Sequence, residues 1–254
     1  MARLYLSRAD LSSFHRDGLL VIRQMYSHRE VAELSRWIDE LVARPHGIGR
    51  QMTYYEDSRL TRGRRILSRI ENFVDEHDRL RAFVYDDRMV GRVNELLGEP
   101  SVLFKGKVNF KLSGGDGFKP HQDIQPGWDE YASYFISVLV TVDDSTELNG
   151  CLELAAGHHT RGRIGQKWRP LENGELDGIV FEKCPMAPGD VVYFDCFVPH
   201  QSGPNLTDGP RRNLYLTYNR LSEGDRRAQY FADKRKSFPP DDEREPGKEY
   251  VFRV

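Results

Sequence analysis

The sequence is poor in cysteine: Cys151, Cys184 and Cys196 are the only 3 in 254 residues, and no C-x-x-C spacing joins them. That scarcity argues against a disulfide framework or a thiolate zinc site, and the three read as reduced core thiols. Long apolar runs are also missing, since no stretch approaches the roughly 18 residues that a membrane-spanning helix needs. The amino-terminal MARLYLSRADLSSFHRDG has no basic segment leading into an apolar stretch and a small-residue cleavage site, so the expected location is cytoplasmic. An excess of one charge is lacking too. With 37 Lys plus Arg against 39 Asp plus Glu, the net charge of -2 gives no electrostatic reason for a nucleic-acid or anionic membrane partner, and a small-molecule ligand is expected instead. There is no internal repeat, low-complexity tract or Gly/Ser-rich linker to divide the chain. Oligomeric state has no signature, because a buried dimer face and a core face share one pattern.

What is present reads as a folded globular protein, with 39% hydrophobic, 11% aromatic and 30% charged residues. One domain over 1–254 is expected, since β-sandwiches and barrels often reach this length as a unit. Residues 1–100 read as mainly helical. Val31, Leu34, Ile38, Leu41 and Val42 recur at helical spacing after Ser27, a suitable N-cap, and 86–97 carries Met89, Val90, Val93, Leu96 and Leu97 with Gly98 as its stop. Between them HGIGRQMTYYEDSRLTRGRR has no clear period and is expected to be a mobile segment over the site. Over 101–220 the chain turns to short β-branched and aromatic runs between Gly, Pro, Asn and Asp clusters, the pattern of a sandwich or barrel. The spacing predicts strands over 102–112, 134–142, 151–154, 179–182, 190–195 and 213–218. Residues 221–254 are expected to wrap over the body as an irregular segment, docked by Tyr230, Phe231, Phe238, Tyr250 and Phe252.

The segment Phe118-Lys119-Pro120-His121-Gln122-Asp123 places an imidazole and a carboxylate two residues apart, and side chains i and i+2 of a strand share one face. Both can therefore reach one ion. His200 offers a third ligand, just beyond the strand run that ends at Asp195. Two imidazoles and one carboxylate on one face of a metal leave positions open for a bidentate ligand and O2, the arrangement of Fe(II) oxygenases. A lone His-x-Asp is weak, because most such tripeptides are hydrogen-bonded loop residues. His15, His28, His46, His77 and the His158-His159 pair suit that blander role. Arg211 shifts the balance: a guanidinium projecting into a barrel is a planar fork for the far carboxylate of 2-oxoglutarate, and Ser202, two residues past His200, can add a hydroxyl. By strand parity only one of Arg211 and Arg212 points inward.

Taken in order, SSFHRDGLLVIRQMYS, PHQD, NGCLELAAGHH, APGDVVYF, PHQSGPN and the arginine strand resemble the phytanoyl-CoA dioxygenase family. The resemblance covers nearly the whole chain. It implies a mainly β fold with flanking helices around a double-stranded β-helix, a jelly-roll and cupin-like core. It also implies a dioxygenase using Fe(II), 2-oxoglutarate and O2, with iron on His121, Asp123 and His200 and the co-substrate on Arg211, Ser202 and Asn109. Asp123 stands where family halogenases carry a small residue, which implies hydroxylation of an unactivated C–H. Within the family the likeness is strongest to members acting on 2-aminoethylphosphonate, carried by SRIENFVDEHDRL and YNRLSEGDRRAQYFADKRKSFPPDDEREPGKEYVFRV. A phosphonate or similar small polar substrate is therefore expected. The alternatives are an amino acid or natural-product intermediate that is hydroxylated, desaturated or cyclised, and, from another class, a cupin-like metal-binding protein without oxygenase activity.

The strand before the metal motif bears on the substrate. Val102, Phe104, Val108, Phe110 and Leu112 share one parity, and Lys105, Lys107, Asn109 and Lys111 the other. Hydropathy alone would send the lysines to solvent. In a jelly roll with helices packed outside, the apolar face can meet those helices while the polar face lines the cavity, which puts Lys105 and Lys107 near a phosphonate or carboxylate. Gln122, Gln125, Trp128, Tyr215 and Asn219 are further candidates for the substrate pocket.

Overall fold

The computed structural model describes residues 4–45 and 47–251, so His46 and Phe252 lie outside it. Two antiparallel sheets form the core. The larger has the order β1-β9-β6-β11-β4-β3-β2 and the smaller β5-β10-β7-β8. The strands are β1 (Leu19–Ile22), β2 (Met52–Asp57), β3 (Arg65–Glu71), β4 (Ser101–Asn109), β5 (Phe118–His121), β6 (Phe135–Thr141), β7 (Leu152–Leu154), β8 (Glu182–Cys184), β9 (Val191–Asp195), β10 (His200–Ser202) and β11 (Asn213–Arg220). This is the expected double-stranded β-helix with flanking helices. The helices are α1 (Arg8–Asp17), α2 (His28–Val42), α3 (Asp78–Val84), α4 (Asp87–Leu97) and α5 (Arg227–Ser237).

Strand parity divides the core into layers. Val138 and Val140 of β6, Val191 and Tyr193 of β9, and Leu214 and Leu216 of β11 turn outward onto Leu34, Ile38 and Leu41 of α2 and Met89 and Val93 of α4. Their alternates Leu139, Val192 and Phe194 turn inward and meet Leu152 and Leu154 of the small sheet. Both faces of the large sheet are thus covered, so its central strands are buried throughout. Ser27 caps α2 in a reciprocal capping box with Glu30, and Gly98 ends α4 at a left-handed φ of 76°. Val42, placed on the apolar face by spacing, is exposed at the helix end.

Several expectations are corrected. The first hundred residues contribute strands as well as helices: β1 joins β9, and the segment expected to be mobile folds as β2, paired with β3 at the edge of the large sheet. Buried charges such as Arg69 and Glu71 of β3 hide the alternation of these strands. The strand expected at 179–182 forms instead at Glu182–Cys184, leaving Val180 in solvent. The carboxy-terminal segment is not wholly irregular, because α5 forms there. It buries only Tyr230 and Phe231, too few for a visible apolar stripe. A bulge in β4 overturns one face assignment. Thr217 pairs with Lys105 and Tyr218 with Leu103, so Phe104 is unpaired and turns inward with Lys105, while Leu103 takes its place on the outer face.

Ile38 has no solvent exposure and lies in the helix–sheet layer away from the cavity. Ile38→Ala is expected to cost about 2–5 kcal/mol, read from the urea midpoint. A loss under about 1 kcal/mol would mean that this layer repacks freely.

Candidate metal centre and substrate cavity

Strands β5 and β10 pair antiparallel with His121 directly opposite His200. That register brings the two imidazoles to 4.2 Å between ring centres. Asp123 follows two residues after His121, and one donor atom from each of the three lies within 4.8 Å of the others. All three are buried. His121 Nδ1 donates to Lys119 O at 2.7 Å and His200 Nδ1 to Val198 O at 3.0 Å, so each ring turns an unprotonated Nε2 to the centre. Burial pushes His121 down to about 3 and lowers His200 as well, which keeps both rings neutral. Burial opposes charge on Asp123 too, but the Lys107 ammonium and the hydrogen bond from Ser137 help to hold the carboxyl below its usual value. Ser137 of β6 donates to Asp123 Oδ2 at 2.5 Å and leaves Oδ1 facing His200 Nε2 at 3.9 Å. Two neutral nitrogens and one anionic oxygen fit a divalent first-row metal ion.

Beside this centre is a buried cationic corner. Arg211 is 1% exposed and has no carboxylate within ion-pair distance among the described residues. With the Asn213 amide turned to satisfy its neighbours, its oxygen accepts from Arg211 Nη1 at 2.6 Å. Arg211 Nε and Asn109 Oδ1 are both buried without a partner. Lys111, on the same parity as Asn109, donates to Ser202 Oγ at 2.7 Å and to Gly203 O at 2.5 Å. Burial and the neighbouring Arg211 push Lys111 down to about 6. Arg212 points the other way and pairs with Asp143 and Asp39, as parity required. A buried guanidinium with an orphaned N–H and no acid beside it is the mark of an anion site, and a dicarboxylate reaching from the metal fits it.

A cavity of about 590 Å³ is lined in part by His121 and Asp123 of the triad. Lys105 and Lys107 of β4 line it, as do Trp128 and, from α5, Tyr230 and Lys234. Lys105 Nζ lies 5.2 Å from the Trp128 ring centre and 5.5 Å from that of Tyr230. Burial, then Lys105, pushes Lys107 down to about 8. The tail docks as expected, since Phe238 stacks on Tyr54 and Tyr250 reaches the cavity mouth.

Other candidates are placed elsewhere. Gln122 is fully buried and clamps a loop, donating to Gly162 O and Phe197 O and accepting from Ile164 N. Gln125 does the same through Gln166 O and Arg169 O, and Asn219 through Arg220 O and Gly224 O. A hydropathy argument cannot tell an amide that braces a loop from one that meets a ligand. Tyr215 sits between Lys107, 4.9 Å from its ring centre, and Arg211, to which it is hydrogen-bonded. Ser137, Lys111, Glu71 and Lys234 were not singled out. Lys111 was detectable by parity and Ser137 as a hydroxyl among the apolar residues of FISVLVT. Glu71 and Lys234 meet across the length of the chain, which leaves no local signal.

A triad of this kind inside a double-stranded β-helix, beside an unpaired buried guanidinium, defines a metal-dependent dioxygenase. The chain belongs to the phytanoyl-CoA dioxygenase (PhyH) family, whose sequence profile matches residues 14–213. It is 38% identical to a 2-aminoethylphosphonate dioxygenase of uncultured bacterium HF130_AEPn_1, over 97% of this chain and 94% of that one. It is 35% identical to a methylphosphonate hydroxylase of Gimesia maris, over 92% of this chain and 88% of that one. The fold matches EctD from S. alaskensis, solved with 2-oxoglutarate and 5-hydroxyectoine, at a TM-score of 0.74 and 24% identity, covering 88% of this chain and 79% of EctD.

Ser137→Ala removes the hydroxyl that orients Asp123 and is expected to lower Fe(II) affinity about 10–100-fold, followed by anaerobic metal titration. Unchanged affinity would show that Asp123 is held in place without it.

Proposed function

We propose that this protein hydroxylates an unactivated C–H of a small phosphonate, with iron held by His121, Asp123 and His200 and 2-oxoglutarate as co-substrate. The observation that carries the reading is Arg211, a buried guanidinium without an acid beside a neutral-imidazole, carboxylate triad. When bound there, iron supplies the redox chemistry by which 2-oxoglutarate and O2 yield succinate, CO2 and one oxygen atom for the substrate. Arg211, Ser202 and Asn109, joined by Lys111, hold the far carboxylate, so the 2-oxo acid end is delivered to the metal in one orientation. Burial of the corner keeps water from competing for these donors. The Nδ1 hydrogen bonds of His121 and His200 keep both rings aimed while the open side of the triad faces the cavity.

The phosphonate class is supported by the cationic wall of Lys105 and Lys107 and by the named activities of the two relatives. Asp233 and Glu130 at the cavity rim, the former bonded to Tyr131 Oη at 3.1 Å, suit an ammonium at the far end of an aminophosphonate. The cavity takes walls from 69–71, 105–131 and 230–251, so the chain acts as one catalytic unit. No helix among the described residues is long and apolar enough to cross a membrane, and the cysteines are unpaired, which suits a reducing cytoplasm.

Succinate formation with anaerobically added Fe(II), then O2, across a panel of phosphonates and amino acids tests this reading. A product heavier by one oxygen is expected with a phosphonate; turnover with amino acids alone would exclude that substrate class. Arg211→Ala is expected to raise the KM for 2-oxoglutarate about 30-fold or more, since it empties one side of a buried charge pair. An unchanged KM would remove Arg211 from the anchor. Binding of 2-oxoglutarate should also restore the pKa of Lys111, so that near pH 7.5 the complex takes up a proton. Calorimetry in buffers of different ionisation enthalpy reads this, and Lys111→Met should abolish the uptake.

A further inference from the structure

The outer half of the cavity is furnished from beyond the family profile, which ends at residue 213, because α5 supplies Tyr230 and Lys234. Lys234 Nζ lies 2.5 Å from Glu71 Oε2 on β3, and Lys105 Nζ on β4 lies 3.9 Å from the same oxygen. Arg69 Nε approaches the other oxygen at 2.9 Å. The Glu71 side chain is 1% exposed, those of Lys105 and Lys234 9% and 11%. One buried carboxylate therefore serves several cations. Lys107 stands beside them and is in no ion pair among the described residues; its ammonium lies 5.5 Å from the Phe118 ring centre and 4.9 Å from that of Tyr215.

Four cations, Arg69, Lys105, Lys107 and Lys234, thus share this wall with Glu71, since Asp123 belongs to the metal centre. The other acids of the cavity do not correct this. Glu130 and Asp233 are about half-exposed and have Lys167 and Lys236 beside them, and Glu249 lies in the tail at the mouth. Cations outnumber acids in this poorly hydrated wall, and burial pulls both Lys107 and Lys234 below the usual lysine value. Uncompensated buried charge is strongly destabilising unless a counter-ion completes it, and two negative charges on one head group would do so.

We propose that Lys107 and Lys234 are the paired recognition residues for a doubly charged head group, a phosphonate dianion, with Glu71 as the positioning residue that fastens α5 to β3 and β4. This rests on the cavity being the substrate site of the proposed oxygenase, and adds the valence of the head group and a residue of α5 that selects it. A carboxylate brings one charge and leaves the wall with an excess. The receptor thus separates two ligands that share a carbon chain but differ in head group.

The test is calorimetric binding to the protein loaded with Fe(II) and 2-oxoglutarate without O2. The probes are 2-aminoethylphosphonate and β-alanine, which carries a carboxylate in place of the phosphonate. Wild type is expected to bind the phosphonate about tenfold or more tightly than β-alanine, and Lys234→Met to lose about tenfold or more of that affinity. Lys234→Arg should recover most of it. If Lys234→Met fails to fold by thermal unfolding, Lys107→Met carries the same expectation. Equal affinity for the two probes, or full phosphonate affinity in the methionine variant that folds, overturns the proposal. Exposure of the bound complex to O2 separates the two readings. Tight phosphonate binding without a product gaining oxygen would sink the hydroxylase and leave the receptor, whereas turnover without head-group preference would sink the receptor alone.

Discussion

The antiparallel pairing of β5 with β10 sets His200 across from His121, and the chemistry of the molecule depends on that register. Side chains alternate along a strand, so a slip of one residue would turn His200 away from the centre and Gln201 toward it. Strand β10 has only three residues, too few to hold its own register. Its other neighbour β7 holds it, through ladder partners at Leu154, Glu153 and Leu152, of which both leucines are buried in the inter-sheet layer. Gly150 makes room for this arrangement. At φ 73° it lies against Gly203 O, where any Cβ would collide, so the strand carrying His200 and Ser202 can lie close to its neighbours.

The charge pattern follows from the layers. Helices α2 and α4 cover the outer face of the large sheet and attract its apolar residues, so Leu103 and Val108 of β4 and Phe110 just after it turn away from the cavity. The opposite parity is left to face inward, and it carries Lys105, Lys107, Asn109 and Lys111. Strand β4 and the two residues after it thereby place Asn109 and Lys111 near Arg211, and Lys105 and Lys107 in the cavity. The Phe118 ring lies against both Lys107, at 5.5 Å, and Lys111, at 5.8 Å, so the two groups of cations meet beside the triad.

Elements with a strong local signal were legible. The N-cap at Ser27, the stop at Gly98, the inward Arg211 against the outward Arg212, and the central strands of the large sheet could all be read from spacing and turn chemistry. Elements stabilised by long-range contacts were not. Strands β2 and β3 gain their place by edge pairing, α5 by two aromatic side chains, and the bulge at Phe104 by packing against Trp128, Phe135 and Tyr230. Gln122 and Gln125 sit beside the metal motif but spend their amides on backbone carbonyls of distant loops.

By itself the amino-acid order determined which residue types were available at which parity: the His-x-Asp pair, the single inward arginine and the lysine face of β4. Those are consequences of strand periodicity, a local property. Only the tertiary structure decided that His200 closes the triad, that Lys111 stands with Arg211, and that Glu71 and Lys234 meet at the cavity wall. Each of these joins residues far apart in the chain, and their meeting is set by strand register and helix docking, which the sum of buried contacts selects and no short stretch of sequence encodes.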